Sequence, residues 1–352
     1  METRPGLGLS QRDAGILDSI PEPLVIVDRQ RTVTAANIAA VRDIGIAYPG
    51  RALALSLRHP AALAAVDEVL LGGKARTIEV ALRAPTLRTF TLIVAPLQWT
   101  GTVGAVLIFH DVTSERRAQQ MRADFVANAS HELRSPLAAM VGFVETLRGP
   151  AKDDEAARER FLDIMAAEGA RMTRLIEDLL SLSAIEADEH VIPQGRVDVA
   201  RTLAEVIDTL VPSATEKDMR IRTEILVALP EVAGDSGQLA QVFRNLIENA
   251  IAYGRAGSEI LIVARPLERM PEGTRPGVAV SVQDQGEGIA REHIPRLTER
   301  FYRVDSGRSR KLGGTGLGLA IVKHILNRHR GRLAIESEQG RGSRFTVSLP
   351  AA

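Results

Sequence analysis

Two long stretches of the chain repeat their apolar residues with a helical period. Across residues 155–186, Phe161, Met165, Glu168, Met172, Leu175, Leu179 and Leu182 follow one another at spacings of 4, 3, 4, 3, 4 and 3. That is a heptad seam interrupted by one carboxylate, and it predicts an amphipathic helix. Residues 114–148 keep the same spacing through Leu133, Leu137, Met140, Val144 and Leu147, and predict a second. The RGPAKDD stretch between them supplies breaker and polar residues, so the pair should form a hairpin. Its two narrow apolar stripes find little to bury against within one hairpin. Pairing with a second copy into a dimeric four-helix bundle is the expectation, with packing inside one chain as the alternative.

The pattern differs on either side. Residues 24–27, 89–95 and 103–110 are compact β-rich runs, the last two separated by a turn at QWTG, and residues 61–71 favour a helix. Residues 13–115 therefore read as a mixed α/β domain after a short tail, residues 1–12. From 191 to 352 strand patterns at 220–227, 259–264, 278–284, 332–337 and 343–349 alternate with helical ones at 236–252 and 318–327. Asp235 with Gln238 has the form of a capping box opening the first of these helices. The expected fold class is multidomain α+β, with domains at 13–115, 116–190 and 191–352.

Composition narrows the function. Of 352 residues, 44 are basic and 44 acidic, so no net charge draws the chain to nucleic acid or an anionic membrane. Cysteine is absent, which excludes disulfides and thiolate metal sites. The opening METRPGLGLSQRD lacks the apolar core of a secretory signal, and no apolar run approaches the roughly 20 residues of a spanning helix. A cytoplasmic chain is expected, membrane-attached if it belongs to a longer one.

The candidate chemistry is distributed along the chain. On a helix His131 lies about 180–240° around from Leu133, Leu137 and Met140, away from the seam. Glu132 is beside it, and Ser135 is one turn on. Pro136 removes an amide donor and frees the carbonyl of Glu132. An exposed neutral imidazole is a good nucleophile near neutral pH. Asn245 and Asn249, at i and i+4 in NLIENA, present two amides on one side of a helix, a hard-oxygen set suited to Mg²⁺. DQGEGI then places Asp284 at a strand end before Gly286 and Gly288, where a carboxylate can accept from an exocyclic amine. GGTGLGLA, residues 313–320, leads into a helix whose first amides form an anion site. Arg303, Arg308, Arg310 and Lys311 lie just upstream. No Walker loop is present, and GTGLGL follows no strand of a βαβ unit, so a dinucleotide fingerprint is excluded.

SHELRSPL, NLIENA, DQGEGI, RFYRVD, GGTGLGLA and GRGSRF stand in this order over roughly residues 115–352. The set resembles the phosphoacceptor, N, first glycine, F and second glycine boxes and final glycine turn of two-component sensor histidine kinases. That resemblance implies autophosphorylation of His131 from ATP and Mg²⁺, then transfer to an aspartate of a cognate response regulator. It also implies a Bergerat-type α/β sandwich. There Asn249 ligands Mg²⁺, Asp284 reads adenine and Tyr253 packs on the base. Asn245, Gly286, Gly288, Gly314, Thr315, Gly316, Leu317 and Gly318 complete the site, and Arg303 and Arg308 meet the phosphates. Glu132 would be base or orienting group, and Ser135 would serve a regulator phosphatase activity. ILDSIPEPLVIVDRQRTVTAAN and FHDVTSERR resemble a PAS sensor, and FVANASHELRSPL, RFLDIM and RMTRLIEDLLSLSAIE are most like phosphate-regulon sensor kinases.

Three positions depart from the pattern. Ser135 stands for the usual threonine, Ala252 for a lysine whose loss removes one phosphate contact, and Gln285 for an asparagine. Two other readings remain. An ATPase sharing the nucleotide fold would need a glutamate where Asn245 stands, and a nucleotide-binding scaffold without catalysis is favoured only by Ala252. No residue of the first domain singles out haem or flavin; His59 and His110 read as ordinary histidines.

Overall fold

The computed structural model describes residues 11–46, 50–83, 86–99, 102–188, 191–225, 228–305, 307 and 314–352, in two compact units divided between Ala127 and Asn128. In the first unit the elements run α1 (Gln11–Ser19), β1 (Leu24–Asp28), β2 (Val33–Ala36), α2 (Ile38–Ile44), α3 (Leu53–Ser56), α4 (Pro60–Leu70), β3 (Arg76–Arg83), β4 (Leu87–Trp99) and β5 (Thr102–Asp111). The strands form one antiparallel sheet in the order β2-β1-β5-β4-β3. Alternation along β1 sends Val25 and Val27 to one face, with Phe90, Leu92, Leu107, Phe109 and the Val66 side of α4. Leu24 and Ile26 go to the other, with Leu17 and Ile20 packed against them. Phe90 and Phe109 meet edge-to-face at 6.1 Å.

Buried Asn37 ties this unit together. Its Oδ1 accepts from the amides of Leu24 and Ala40, and its Nδ2 donates to the carbonyls of Leu17, Ile20 and Glu22. His59 caps α4 and His110 pairs with Glu22, the ordinary roles expected of both. The turn expected at QWTG includes Thr100 and Gly101, which lie outside the described residues.

Helix α5 (Thr113–Arg148) runs unbroken through Pro136, and α6 (Glu155–Ala187) follows, N-capped by Asp154. The α6 seam is as the spacing predicts: Leu175 and Leu182 are buried and the other five positions half-buried. The α5 seam is not. Leu137 and Val144 are exposed, and α5 turns Leu133, Pro136, Met140, Phe143 and Leu147 inward instead. Both sets have 3–4 spacing, and the stacking of Phe143 on Phe161, centroids 5.1 Å apart, decides between them.

The remaining elements are β6 (Arg196–Val197), α7 (Val199–Thr215), β7 (Arg220–Ile225), β8 (Val232–Ala233), α8 (Ser236–Tyr253), β9 (Glu259–Leu267), β10 (Gly277–Gln283), α9 (Gly318–Arg328), β11 (Arg332–Glu338) and β12 (Gly342–Pro350). A five-stranded sheet, β11-β12-β10-β9-β7, is antiparallel except where β7 meets β9. Helix α8 buries Leu239, Val242, Phe243, Leu246 and Ile247, and packs beside α7 and α9; α6 lies along α9. Only half of the expected capping box forms. Asp235 Oδ1 accepts from the amide of Gln238, but the amide of Asp235 donates to buried His329 Nε2 rather than to the Gln238 side chain.

Candidate functional site

His131 is exposed on α5, and no side chain among the described residues bonds its imidazole. Ser135 Oγ donates back to the His131 carbonyl at 3.3 Å, so the hydroxyl stays on the acceptor's own turn. Glu132, next in the chain, points toward the rest of the unit. Its Oε2 accepts from Arg171 Nη2 at 2.8 Å and Arg303 Nη2 at 3.1 Å, and its Oε1 from Arg303 Nη1 at 3.4 Å. Arg171, on α6, also donates to Glu168 at 3.3 Å. A carboxylate is thus held between the hairpin and the segment that leads to the glycine-rich loop.

The same junction carries further polar contacts. Thr315 Oγ1 donates to Asp178 Oδ2 at 2.6 Å, and burial pushes that carboxyl above the usual range against the pull of this bond. Ser181 and Gln241 bond to each other, and Arg300 pairs with Glu186. Arg171 and Asp178 were not singled out from the sequence, because charged helical residues ordinarily face solvent. Arg171 carried a usable signal: with Glu168 and Leu175 it continues the inward spacing of α6.

The residues expected to hold the nucleotide lie on α8 and the loops at the sheet's end. Asn245 Nδ2 donates to the carbonyl of Gly318 at 3.2 Å, which fixes the start of α9. Asn249 is half-buried, and its amide bonds nothing among the described residues. Tyr253, the last residue of α8, is partly exposed. Asp284 is only 5% exposed. Its Oδ1 accepts from the amides of Gly286 (2.8 Å) and Ser343 (3.3 Å), while Oδ2 has no partner among the described residues. Burial raises this carboxyl, and the two backbone donors oppose the shift.

Backbone conformation fixes two glycines. Gly288 has φ +68, and a Cβ there would lie 2.0 Å from the carbonyl of Glu338, so only glycine closes this loop. Gly316 has φ +74, and a Cβ would meet Phe301 at 3.0 Å and Arg303 Nε at 3.2 Å. Its carbonyl accepts from the amide of Phe301, itself at φ +63. Leu317 is buried, and its amide donates to Thr315 Oγ1. Gly314 and Gly318 complete the described part of the loop; Arg308, Arg310, Lys311 and Gly313 lie outside the described residues. Lys217, also missed in the sequence, donates to the carbonyls of Ile251 and Ala252 at the end of α8.

These residues fit a magnesium nucleotide. Asn249 offers a side-chain amide oxygen and Asp284 a carboxylate oxygen, neither of them bonded among the described residues. The Gly316 turn brings bare backbone to the start of a helix.

Three family models match the chain. The PAS fold covers residues 17–117, the His Kinase A (phospho-acceptor) domain 121–188, and the histidine kinase-, DNA gyrase B- and HSP90-like ATPase 234–352. The phosphate regulon sensor protein PhoR of Pseudomonas aeruginosa is 41% identical over 247 residues, 70% of this chain and 54% of that protein. The sensor-like histidine kinase SenX3 of Mycolicibacterium smegmatis is 38% identical over 246 residues, 70% of this chain and 62% of that one. The chain thus spans little more than half the length of these relatives. Among solved structures, the histidine kinase ThkA, in complex with the response regulator protein TrrA, aligns over 98% of this chain and 99% of its own at a TM-score of 0.54 and 19% identity, a likeness of fold. With a PAS fold, a His Kinase A phospho-acceptor domain and a histidine kinase-like ATPase domain matched in that order along one chain, the protein belongs to the sensor histidine kinase family.

Proposed function

We propose that the chain transfers the γ-phosphoryl group of ATP to its own His131 and passes it on to an aspartate of a response regulator. The observation that carries this reading is the free, exposed imidazole of His131, one residue from a carboxylate bonded to Arg303 beside the glycine-rich loop. A ring nitrogen of His131 attacks the γ-phosphorus, the bond to the β–γ bridging oxygen breaks, and ADP leaves. Asn249 would hold Mg²⁺, which would supply charge neutralisation of the phosphates. Asp284 Oδ2 accepts from the exocyclic amine of adenine, and Tyr253 covers the base. Asn245, Gly286, Gly288 and the 314–318 loop shape the cradle. Arg303 and Arg308 supply positive charge, and Glu132 orients the imidazole or takes its proton.

We assign domains at 13–115, 116–190 and 191–352. The exposed stripes Leu137, Val141 and Val144 on α5 and Leu162, Ile176 and Leu180 on α6 support a homodimer through the hairpin. Regulator phosphatase activity would use Ser135 once its hydroxyl leaves the His131 carbonyl. Similarity to PhoR favours phosphate-regulon signalling. Among the described residues no helix is long and apolar enough to cross a membrane, and a cytoplasmic location, membrane-attached within a longer chain, fits the reading.

The deciding experiment incubates the chain with γ-labelled ATP and Mg²⁺ beside His131→Ala. Acid-labile, base-stable label on the parent and none on the variant is the expected outcome. Phosphate release without labelled protein would favour an ATPase, and nucleotide binding with neither would favour a scaffold.

A further inference from the structure

Arg303 faces two ways. Its Nη1 and Nη2 fork onto Glu132 at 3.4 and 3.1 Å, with the side chain only 6% exposed. Its Nε is buried without a hydrogen-bond partner among the described residues and lies against Gly316, where a Cβ would approach it to 3.2 Å. A buried guanidinium N–H with nothing to receive it is costly, and an anion at the Gly316 turn would satisfy it. Arg171 holds the same Glu132 oxygen from the other side but also bonds Glu168 on its own helix. Arg171 therefore belongs to the hairpin, whereas Arg303 belongs to the nucleotide layer and can change partners.

We propose that Glu132 and the terminal phosphate of the nucleotide compete for Arg303. The inference rests on the kinase reading and adds a control to it. In the structure the fork of Arg303 closes on Glu132 and both carboxylate oxygens are engaged. A triphosphate at the 314–318 loop presents more charge and more acceptor oxygens to the same planar fork, and draws Arg303 toward Gly316. Glu132 is not stranded, because Arg171 still neutralises it. Its Oε1 is released, and the neighbouring imidazole is the nearest titratable group along the helix to receive it. The residue that serves His131 becomes available only when the phosphoryl donor is in place.

The test is nucleotide binding by calorimetry on the full chain with Mg²⁺, using a non-hydrolysable ATP analogue and ADP. Glu132→Gln keeps the side chain's shape and removes its charge. It should tighten the analogue by about three- to tenfold and ADP by less than about twofold. In an Arg303→Ala background the gain should vanish; Arg303→Gln replaces that variant if it fails to fold by circular dichroism. Equal analogue affinity in parent and Glu132→Gln, or a gain that survives loss of Arg303, overturns the exchange while leaving the kinase reading intact. Failure of both nucleotides to bind the parent overturns the two together.

Discussion

At the scale of single residues, the site sets binding against stability. Asp284 is buried with its charged form disfavoured, and only one of its oxygens is engaged. Asp284→Asn can keep that oxygen accepting from Gly286 and Ser343 while placing an NH₂ where adenine's amine should donate. Affinity for nucleotide should fall by about tenfold or more, whereas the melting temperature without nucleotide should hold or rise. Calorimetry and thermal unfolding of the two proteins separate the effects. Gly288→Ala should do the opposite of a clean binding variant. Positive φ and the Glu338 carbonyl both reject its methyl group, so about 2–3 kcal/mol of stability should be lost, read as a lowered melting temperature. His329 gives a pH signature. Burial lowers it below the ordinary histidine value of 6.5, and it bonds as a neutral ring, accepting from Asp235 and donating to Ile325. The unfolded chain then binds the extra proton first. Stability should be complete above about pH 6.5 and decline below it by up to about 1.4 kcal/mol per pH unit until the folded ring titrates. Melting curves from pH 5 to 7.5 should show that slope, and His329→Gln should flatten it.

At the scale of elements, periodicity fixed the helices but not always the face each one buries. Helix α6 has one apolar stripe at the spacing of Phe161 to Leu182, and it turned that stripe inward. Helix α5 has two adjacent stripes, and the inner one contains Pro136, a residue that a helical count of apolar positions passes over. The choice fell to a tertiary contact, Phe143 on Phe161, which no local pattern encodes. The outer stripes make a prediction of their own. If the proposed homodimer forms through these stripes, Ile176→Glu, at an exposed position on α6, should leave helicity unchanged and give a monomer, measured by light scattering and circular dichroism. A dimer that survives would mean another surface joins the copies. The capping of α8 shows the same limit: Asp235 was legible as a cap, but its amide goes to His329, 94 residues away.

At the scale of the molecule, the boxes were legible because each is a short run in which backbone and side chain act locally: glycines where φ is positive, amides one helical turn apart, a carboxylate at a strand end. What joins them was not. Glu132 and Arg303 are 171 residues apart, and nothing in either neighbourhood announces the pair. Asp178 and Thr315 meet across 137. Lys217 under Ala252 is of the same kind. These long-range polar contacts respond differently to ionic strength from the pairs on the outside. Arg201 with Glu205 and Arg76 with Glu68 stand half or more exposed, and added salt should screen them away. Glu132 and its two arginines are largely withdrawn from water and should barely notice bulk chloride. The hairpin's grip on the nucleotide layer at that point is therefore indifferent to how much salt surrounds it and sensitive to which anion can enter: a phosphate small enough to reach Gly316 should loosen what concentrated sodium chloride leaves closed.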